Sequence, residues 1–162
     1  MKPRISKAGP ERIDDLEPLW CSMHEHHLSV GSEIDLRATP ETWPLRRAEY
    51  ERWLAEPDAF VMLAEQKGRP VGYALVNFRE MDDVRITGPR FAVLQSLAVL
   101  PEARGAGVGT ALMAAVYGEL RRLGVGELEI GVVIANEGAR RFYEREGFRP
   151  WAVEYFGLVP PG

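Results

Sequence analysis

The chain has 162 residues, of which 46% are hydrophobic and 27% charged, and its net charge is −4 at pH 7. This composition is typical of one globular domain with a sizeable core, and the acidic balance argues against non-specific nucleic-acid binding. No segment approaches the roughly 18 apolar residues of a membrane span, and the N-terminus has no apolar signal segment. The single Cys21 fits a reducing compartment. We therefore expect one cytoplasmic domain over residues 1–162, with neither nucleic acid nor membrane as a partner.

The first third of the chain predicts a strand followed by two helices. Residues 3–8 are typical of an edge strand, and apolar residues at helical spacing follow from Pro10 to Met23. A polar stretch over 29–39 interrupts this pattern. The segment 39–42 then predicts the cap of a second helix that extends to Leu54.

The remainder alternates strands with helices. A tight turn at 66–69 predicts a hairpin, and a polar loop is expected over 79–90. The apolar patterns predict strands over 60–65, 70–78, 91–99, 127–135 and 149–158, and helices over 107–123 and 136–147. This order (strand, two helices, three strands, helix, strand, helix, strand) is typical of an α/β or α+β fold. Such a fold has a mixed sheet flanked by helices and a parallel crossover over 91–134.

The most informative segment is 94–110, where an apolar strand is followed by Arg104 and by glycines at 105, 107 and 109 that begin a helix. The unpaired N–H groups of a helix N-terminus bind anions, and glycines let the backbone approach a ligand closely. The spacing excludes two common phosphate loops. A P-loop requires Gly and Lys at positions 110 and 111, where this chain has Thr110 and Ala111. The dinucleotide motif G-x-G-x-x-G requires a final glycine, but a motif that starts at Gly105 ends at Thr110 and one that starts at Gly107 ends at Leu112.

The segment Arg104–Gly109 instead resembles the Q/R-x-x-G-x-G/A acyl-CoA loop of the GNAT N-acetyltransferase superfamily. A second resemblance covers 136–148, with Asn136, Ala139, Phe142-Tyr143 and Gly147-Phe148 in the family's order. The two motifs together span about 94–148. The resemblance implies a GNAT-like fold, with the parallel strand pair splayed apart to admit the cofactor.

The resemblance also implies that acetyl-CoA is the co-substrate. The loop would bind the pyrophosphate, and the backbone of the preceding strand would pair with the pantetheine arm. Asn136 would bond to that arm or serve only as a helix cap, and Arg140 would contact a phosphate or remain on a solvated helix face. The cofactor-binding prediction comprises Leu97, Ala98, Val99, Arg104, Gly105, Ala106, Gly107, Val108, Gly109, Thr110, Asn136 and Arg140.

The catalytic prediction rests on Tyr143 and Gln95. The resemblance implies that Tyr143 is the general acid to the CoA thiolate, whereas Gln95 would orient a water or the substrate. The strand at 91–99 has no carboxylate to accept the amine proton. The candidate bases are therefore His24, His26, His27, Glu33 and Asp35. No spacing typical of a metal site is found, so no metal is expected.

We predict direct transfer of acetyl to an amine in a ternary complex. The alternative from another class is a non-catalytic acyl-CoA-binding or regulatory module, and a nucleotide-binding protein is a more distant one. Specificity is expected in the loops 29–39 and 79–90, whose mixed charges, including Asp82, Asp83 and Arg85, indicate no particular acceptor.

The family usually ends in two strands after its Gly-Phe, whereas this sequence predicts one. The second strand is either lost or supplied by another subunit of a homodimer.

Overall fold

The computed structural model describes residues 2–81 and 86–162. The strands are β1 (Arg4–Ala8), β2 (Phe60–Gln66), β3 (Arg69–Glu80), β4 (Arg90–Val99) and β5 (Leu128–Glu129). The helices are α1 (Glu17–Val30), α2 (Thr39–Leu54), α3 (Val108–Arg122) and α4 (Glu137–Arg145). Two 3-10 segments, Pro10–Leu16 and Pro101–Ala103, precede α1 and follow β4.

The strands form one sheet in the order β1-β2-β3-β4-β5. The first four are antiparallel neighbours, and β5 pairs with β4 in parallel after the α3 crossover. The predicted class, a mixed α/β sheet flanked by helices, is therefore confirmed.

Two apolar clusters cover the opposite faces of the sheet. On one face, α1 and α2 pack through Trp20 and Tyr50 against Tyr73 and Leu75 of β3. On the other face, α3 packs through Leu112 and its neighbouring apolar residues against β2, β3 and β4. The sheet is thus a middle layer between two helical layers.

A bulge in β4 shapes that end of the sheet. Leu75 is opposite Ser96 and Val76 is opposite Leu94, so Gln95 is the extra residue. A bulge bends its strand and increases the local twist. β5 contacts β4 only at Ala92 and Val93, before the bulge. Beyond that point the two parallel strands diverge.

Two strand predictions differ from the structure. The strand expected over 127–135 is regular only at Leu128–Glu129, because the backbone leaves β4 after two paired residues. The strand expected over 149–158 is irregular and exposed along its whole length. An apolar alternation favours a strand locally, but a strand also needs a neighbour for its backbone hydrogen bonds. No described strand lies beside this segment.

The helix starts also depart from the predictions. The first helical pattern begins as 3-10 at Pro10, and the α-helix starts only at Glu17. Ala38 rather than Thr39 is the N-cap of α2, and the Thr39 hydroxyl is buried without a hydrogen-bond partner in the described chain.

The predicted loop over 79–90 starts later, since β3 continues to Glu80. Its charges Asp82, Asp83 and Arg85 lie outside the described residues.

Candidate functional site

A cavity of about 600 Å³ opens where β4 and β5 diverge. Its walls come from α1 and α2 on one side and from α3 and α4 on the other, with β4 as the floor. The bulge and the shortness of β5 therefore create space for an extended ligand between the two helical layers.

The open edge of β4 offers backbone groups to such a ligand. The N–H of Leu100 donates to the carbonyl oxygen of Val71 at 2.9 Å, so these two residues form a hydrogen-bonded pair. Because pairs alternate along an antiparallel ladder, the polar groups of Ala98 point to β3, whereas those of Leu97 and Val99 point to the open edge. Of the three residues predicted to pair with the pantetheine arm, only these two direct their backbone groups to the open edge.

The glycine loop has the conformation that its sequence requires. Gly105 and Gly107 have φ of 75° and 76°, in the left-handed region that side chains other than glycine's rarely adopt. Gly107 is the N-cap of α3, and the first bond inside the helix runs from Ala111 N–H to Gly107. The N–H groups of residues 108–110 therefore have no acceptor within the helix and can bind an anion at its positive end.

The Arg104 side chain secures this loop to β4. Its Nε donates to the carbonyl oxygen of Val99 at 3.0 Å. At the other end of the loop, the Thr110 hydroxyl donates to Glu146 at 2.7 Å and so ties the start of α3 to the end of α4. Both residues line the cavity, but each has a structural partner before any ligand arrives.

Helix α4 contributes an amide and a phenol. Asn136 is its N-cap, and the Asn136 Oδ1 accepts a hydrogen bond from Ala139 N–H at 3.2 Å. Tyr143 is 8% exposed and packs edge-on against Phe142 and Phe148. Burial raises the pKa of Tyr143 well above its ordinary value, so the phenol keeps its proton. Within the described chain its hydroxyl has no hydrogen-bond partner, although Tyr143 lines the cavity.

The bulge residue Gln95 is held by a polar chain that leads away from the cavity. Its Nε2 donates to Asn77 at 2.9 Å, and Asn77 donates in turn to Glu56 at 3.1 Å. The next residue, Ser96, is hydrogen-bonded at 2.5 Å to the buried hydroxyl of Tyr50. These contacts fix the side chains on the floor of the cavity.

The α1 side of the cavity carries three histidines. The Nε2 of His24 is 2.8 Å from the carbonyl oxygen of Arg37, and the ring stacks on Trp20. His26 and His27 follow two and three positions later on α1 and also line the cavity. Burial lowers the pKa of His27, and electrostatic interaction with His26, His24 and Arg46 lowers it further. Of the candidate bases, the carboxylates Glu33 and Asp35 are exposed and do not line the cavity.

The structure brings most of the predicted site residues together. Two of them, Ala106 and Arg140, do not line the cavity. Arg140 lies instead in a shallow surface depression formed by α4. The lining residues that sequence reasoning did not assign to the cofactor site include Trp20, Met23, Arg46, Ile130, Val132 and Arg145. Arg145 lies five positions after Arg140 and is the basic residue of the last turn of α4, and no sequence signal separates the two.

No group of three or more His, Cys, Asp or Glu side chains suited to a metal ion is found in residues 2–81 and 86–162. In the same residues, no helix has the length and apolar character that crossing a membrane requires.

Comparison with known proteins gives consistent similarities. Residues 28–148 match the family described as the acetyltransferase (GNAT) family. An uncharacterized N-acetyltransferase of Mycobacterium tuberculosis is 31% identical over 141 residues, which cover 87% of this chain and 81% of that protein. An aminoalkylphosphonate N-acetyltransferase of Salmonella typhimurium is 31% identical over 146 residues, covering 90% and 84%. The solved structure of aminoglycoside N-acetyltransferase AAC(6')-Iy in complex with CoA superposes with a TM-score of 0.72 at 18% identity. It covers 97% of this chain and 94% of that one.

Proposed function

The chain belongs to the acetyltransferase (GNAT) family, and we propose that it moves the acetyl group of acetyl-CoA directly to an amine acceptor. A single domain over residues 1–162 would bind both substrates in one ternary complex. The observation that carries the proposal is the cavity between the diverging strands β4 and β5. The glycine loop lies on its wall, and so does the buried, unpartnered phenol of Tyr143.

The shape and polarity of the cavity suit CoA. The pyrophosphate would bind the N–H groups of residues 108–110 at the start of α3. The pantetheine amides would pair with the open-edge groups of Leu97 and with the N–H of Val99, as an added strand pairs with a sheet edge. The carbonyl oxygen of Val99 already accepts a hydrogen bond from Arg104. The Nδ2 of Asn136 would donate to the same arm, since its Oδ1 is already used by the helix cap. The solved neighbour that contains CoA supports this choice of co-substrate.

The reaction would use one group to accept a proton and another to donate one. The ammonium form of the acceptor loses a proton to His27, and the neutral nitrogen attacks the thioester carbon. After the attack, the nitrogen of the tetrahedral intermediate carries one proton more than the amide product. The C–S bond then breaks while the C–N bond stays, and Tyr143 donates its proton to the leaving thiolate as general acid. The surplus proton on the nitrogen passes to the phenolate, directly or through water, and restores Tyr143. Because burial keeps the pKa of Tyr143 far above that of a thiol, about 8.5, much of its effect would come from the O–H···S hydrogen bond itself.

Two measurements test the proposal. Calorimetric titration with CoA should show binding, and no heat of binding at millimolar CoA would overturn the co-substrate assignment. Tyr143→Phe should lower turnover by about a hundredfold or more while CoA affinity is kept, because the phenol acts on the transition state. Tyr117→Phe is the matched control. Its hydroxyl donates to the Glu146 carbonyl oxygen at 3.4 Å and does not line the cavity, so activity should be unchanged.

A second candidate function is a non-catalytic acyl-CoA-binding or regulatory module. The absence of a carboxylate base from the described lining favours it. Under this alternative, Tyr143→Phe would keep CoA affinity and would lose little of the protein's function, because no turnover depends on the phenol. Release of free CoA thiol by the wild-type protein in the presence of a suitable amine would exclude it.

A homodimer also fits the exposed segment after α4. The large apolar side chains exposed there are Trp151, Val153, Tyr155, Phe156, Leu158 and Val159. An extended apolar segment exposed along its length favours association with a second surface, and exchange of this segment between two copies would bury it in one symmetric interface. Light scattering should then give twice the mass of 18.2 kDa, and Val153→Lys with Tyr155→Lys should give the monomer. A monomeric wild-type protein would refute the exchange.

Cytoplasmic location stays a prediction from the single Cys21.

A further inference from the structure

The charge of the cavity wall carries information about the acceptor. Among the described residues that line the cavity, none is an aspartate or a glutamate. The charged and titratable side chains of the lining are Arg46, Arg104, Arg145, His24, His26 and His27, together with the phenol of Tyr143. The wall therefore has a net positive charge, although the whole chain is acidic.

The cationic residues fall into two groups that lie on different elements. Arg104 and Arg145 belong to the glycine loop and to the end of α4, beside the expected phosphates of CoA. Arg46 belongs to α2 and the histidines to α1, on the opposite helical layer. This second group has no role in binding CoA under the proposed function. It forms the wall where the acceptor would enter.

Arg46 is arranged to bind an anion. One of its nitrogens is 3.0 Å from Glu49, and the guanidinium lies over the rings of Tyr50 and Trp53 at 5.9 and 5.8 Å. These contacts hold the planar group in place. A guanidinium has five N–H donors, and the single contact with Glu49 leaves most of them available for an anion. The pair is also partly solvated, since both side chains are 33% exposed, so Glu49 neutralises Arg46 incompletely.

A cationic wall acts on an amine substrate in two ways. It repels an ammonium ion and so favours the neutral amine, which is the form that attacks the thioester. It also selects against acceptors with several positive charges, since like charges brought together in a poorly solvated cavity cost free energy. A substrate that carries its own anionic group is attracted to Arg46, while the cationic wall still favours the neutral form of its amine.

From this arrangement, and resting on the proposed acetyl transfer, we propose that the α1–α2 wall is a subsite for amines that carry an anionic group. The anion would be a carboxylate or a phosphate-like group bound by Arg46, and the amine would point toward the bulge at Gln95. Polycationic amines would be poor acceptors.

The test compares acceptors of similar length that differ in charge. β-Alanine, aminopropanol and diaminopropane carry a carboxylate, a hydroxyl and a second ammonium, respectively. With acetyl-CoA and release of free thiol as the readout, kcat/KM should be about tenfold higher for β-alanine than for aminopropanol, and lowest for diaminopropane. Equal values for the three, or a preference for the diamine, would overturn the inference.

Variants on α2 separate the subsite from general effects. Arg46→Gln should raise KM for β-alanine about tenfold, change KM for aminopropanol much less, and leave CoA affinity unchanged. Arg52→Gln is the matched control, because Arg52 contacts the same Glu49 at 3.9 Å but is 74% exposed and does not line the cavity. An Arg46→Gln protein that keeps the preference for β-alanine would refute the subsite.

The outcomes also separate this inference from the proposed function. If CoA fails to bind in calorimetry, the co-substrate assignment itself is wrong. If CoA binds and none of the acceptors reacts, the CoA-loaded protein is titrated with β-alanine and with aminopropanol. Preferential binding of β-alanine that is lost in Arg46→Gln would support the subsite, and its absence would count against it.

Discussion

Gly109 lies directly against the ring of Phe142, which joins the first turn of α3 to α4. A Cβ atom at position 109 would be 3.1 Å from both Cε2 and Cζ of Phe142, closer than ordinary van der Waals contact. The three glycines of the loop therefore serve different purposes. Those at 105 and 107 permit a left-handed backbone, whereas the one at 109 lets the two helices that frame the cofactor end of the cavity meet.

Two glycine-to-alanine substitutions in α3 should have different effects on stability. Gly118→Ala should raise the free energy of unfolding by about 0.5–1 kcal/mol, because alanine favours the helix and the nearest atom is an Arg121 nitrogen at 4.0 Å. Gly109→Ala should gain less or lose stability, since its methyl group must displace Phe142. Urea unfolding measures both, and an equal gain at the two positions would contradict the close contact.

The two arginines of α4 should differ in their effect on CoA binding. Arg145 lines the cavity, and no ion pair or hydrogen bond is found for its side chain in the described chain. Arg140 faces the surface and approaches the carbonyl oxygen of Ile134 at 3.4 Å. Arg145→Gln should weaken CoA affinity about tenfold, as expected for loss of one charge-assisted contact. Arg140→Gln should leave the affinity unchanged in the same calorimetric titration.

The pH dependence of activity should report His27. Its pKa is lowered by burial first and then by electrostatic interaction with His26, His24 and Arg46, so His27 is neutral and able to accept a proton at pH 7. The midpoint of the rise of kcat/KM with pH should therefore lie below the ordinary histidine pKa of about 6.5. No falling limb is expected from Tyr143 below about pH 10, because burial raises its pKa.

Substitution of the histidines checks that assignment. His27→Gln should lower kcat/KM by about a hundredfold near pH 7 and remove the rising limb. His26→Gln, one position earlier on α1, should keep the rate near pH 7 and a rising limb, and this limb should shift toward the ordinary histidine pKa because His26 no longer lowers the pKa of His27. A rising limb that survives in His27→Gln would assign the proton to another group.

Acid should weaken a link between the first strand and α3. Glu119 accepts hydrogen bonds from Arg122 at 2.7 Å and from Lys7 at 2.5 Å, and these lower its pKa from 4.5 to about 2. Because the folded-state pKa is the lower one, the stabilisation is complete above about pH 4.5 and is lost as the pH falls toward 2.

The variant Glu119→Gln measures this contribution. Near pH 7 it should lower the free energy of unfolding by roughly 1 kcal/mol, a value reduced for solvent screening of the partly exposed Lys7 and Arg122. The difference from wild type should shrink as the pH falls from 4.5 to 2. Glu102→Gln, at an exposed carboxylate of the second 3-10 segment, should show no such dependence. A difference that stays constant with pH would contradict the mechanism.

Sequence patterns were sufficient for elements whose determinants are local. The alternation in β3, the amphipathic repeat of α3 and the cap at Asn136 each depend on residues within a few positions, and each element forms where it was expected. The glycine loop and the Asn136–Phe148 segment also identified the family before the fold was known, because backbone conformation and helix capping are encoded by neighbouring residues.

Long-range pairing decided what the local patterns could not. The segment 149–158 has the alternation of a strand, yet it forms none because no described strand lies beside it. Similarly, β5 ends after Glu129 because the bulge at Gln95 bends β4 away from it. Arg140 and Arg145 cannot be told apart by charge or helix position. Only the packing of α4 against α3 shows which of them lines the cavity.

The sequence alone thus predicted the donor of the reaction, since the loop that would bind CoA is built from consecutive backbone groups. The tertiary structure decided the character of the acceptor wall. Arg46 and the three histidines come from two helices that are distant along the chain from the glycine loop, and only the sheet between the two helical layers brings them to the same cavity. Charge in a cavity is a property of side chains that meet in space, and no local sequence pattern records it.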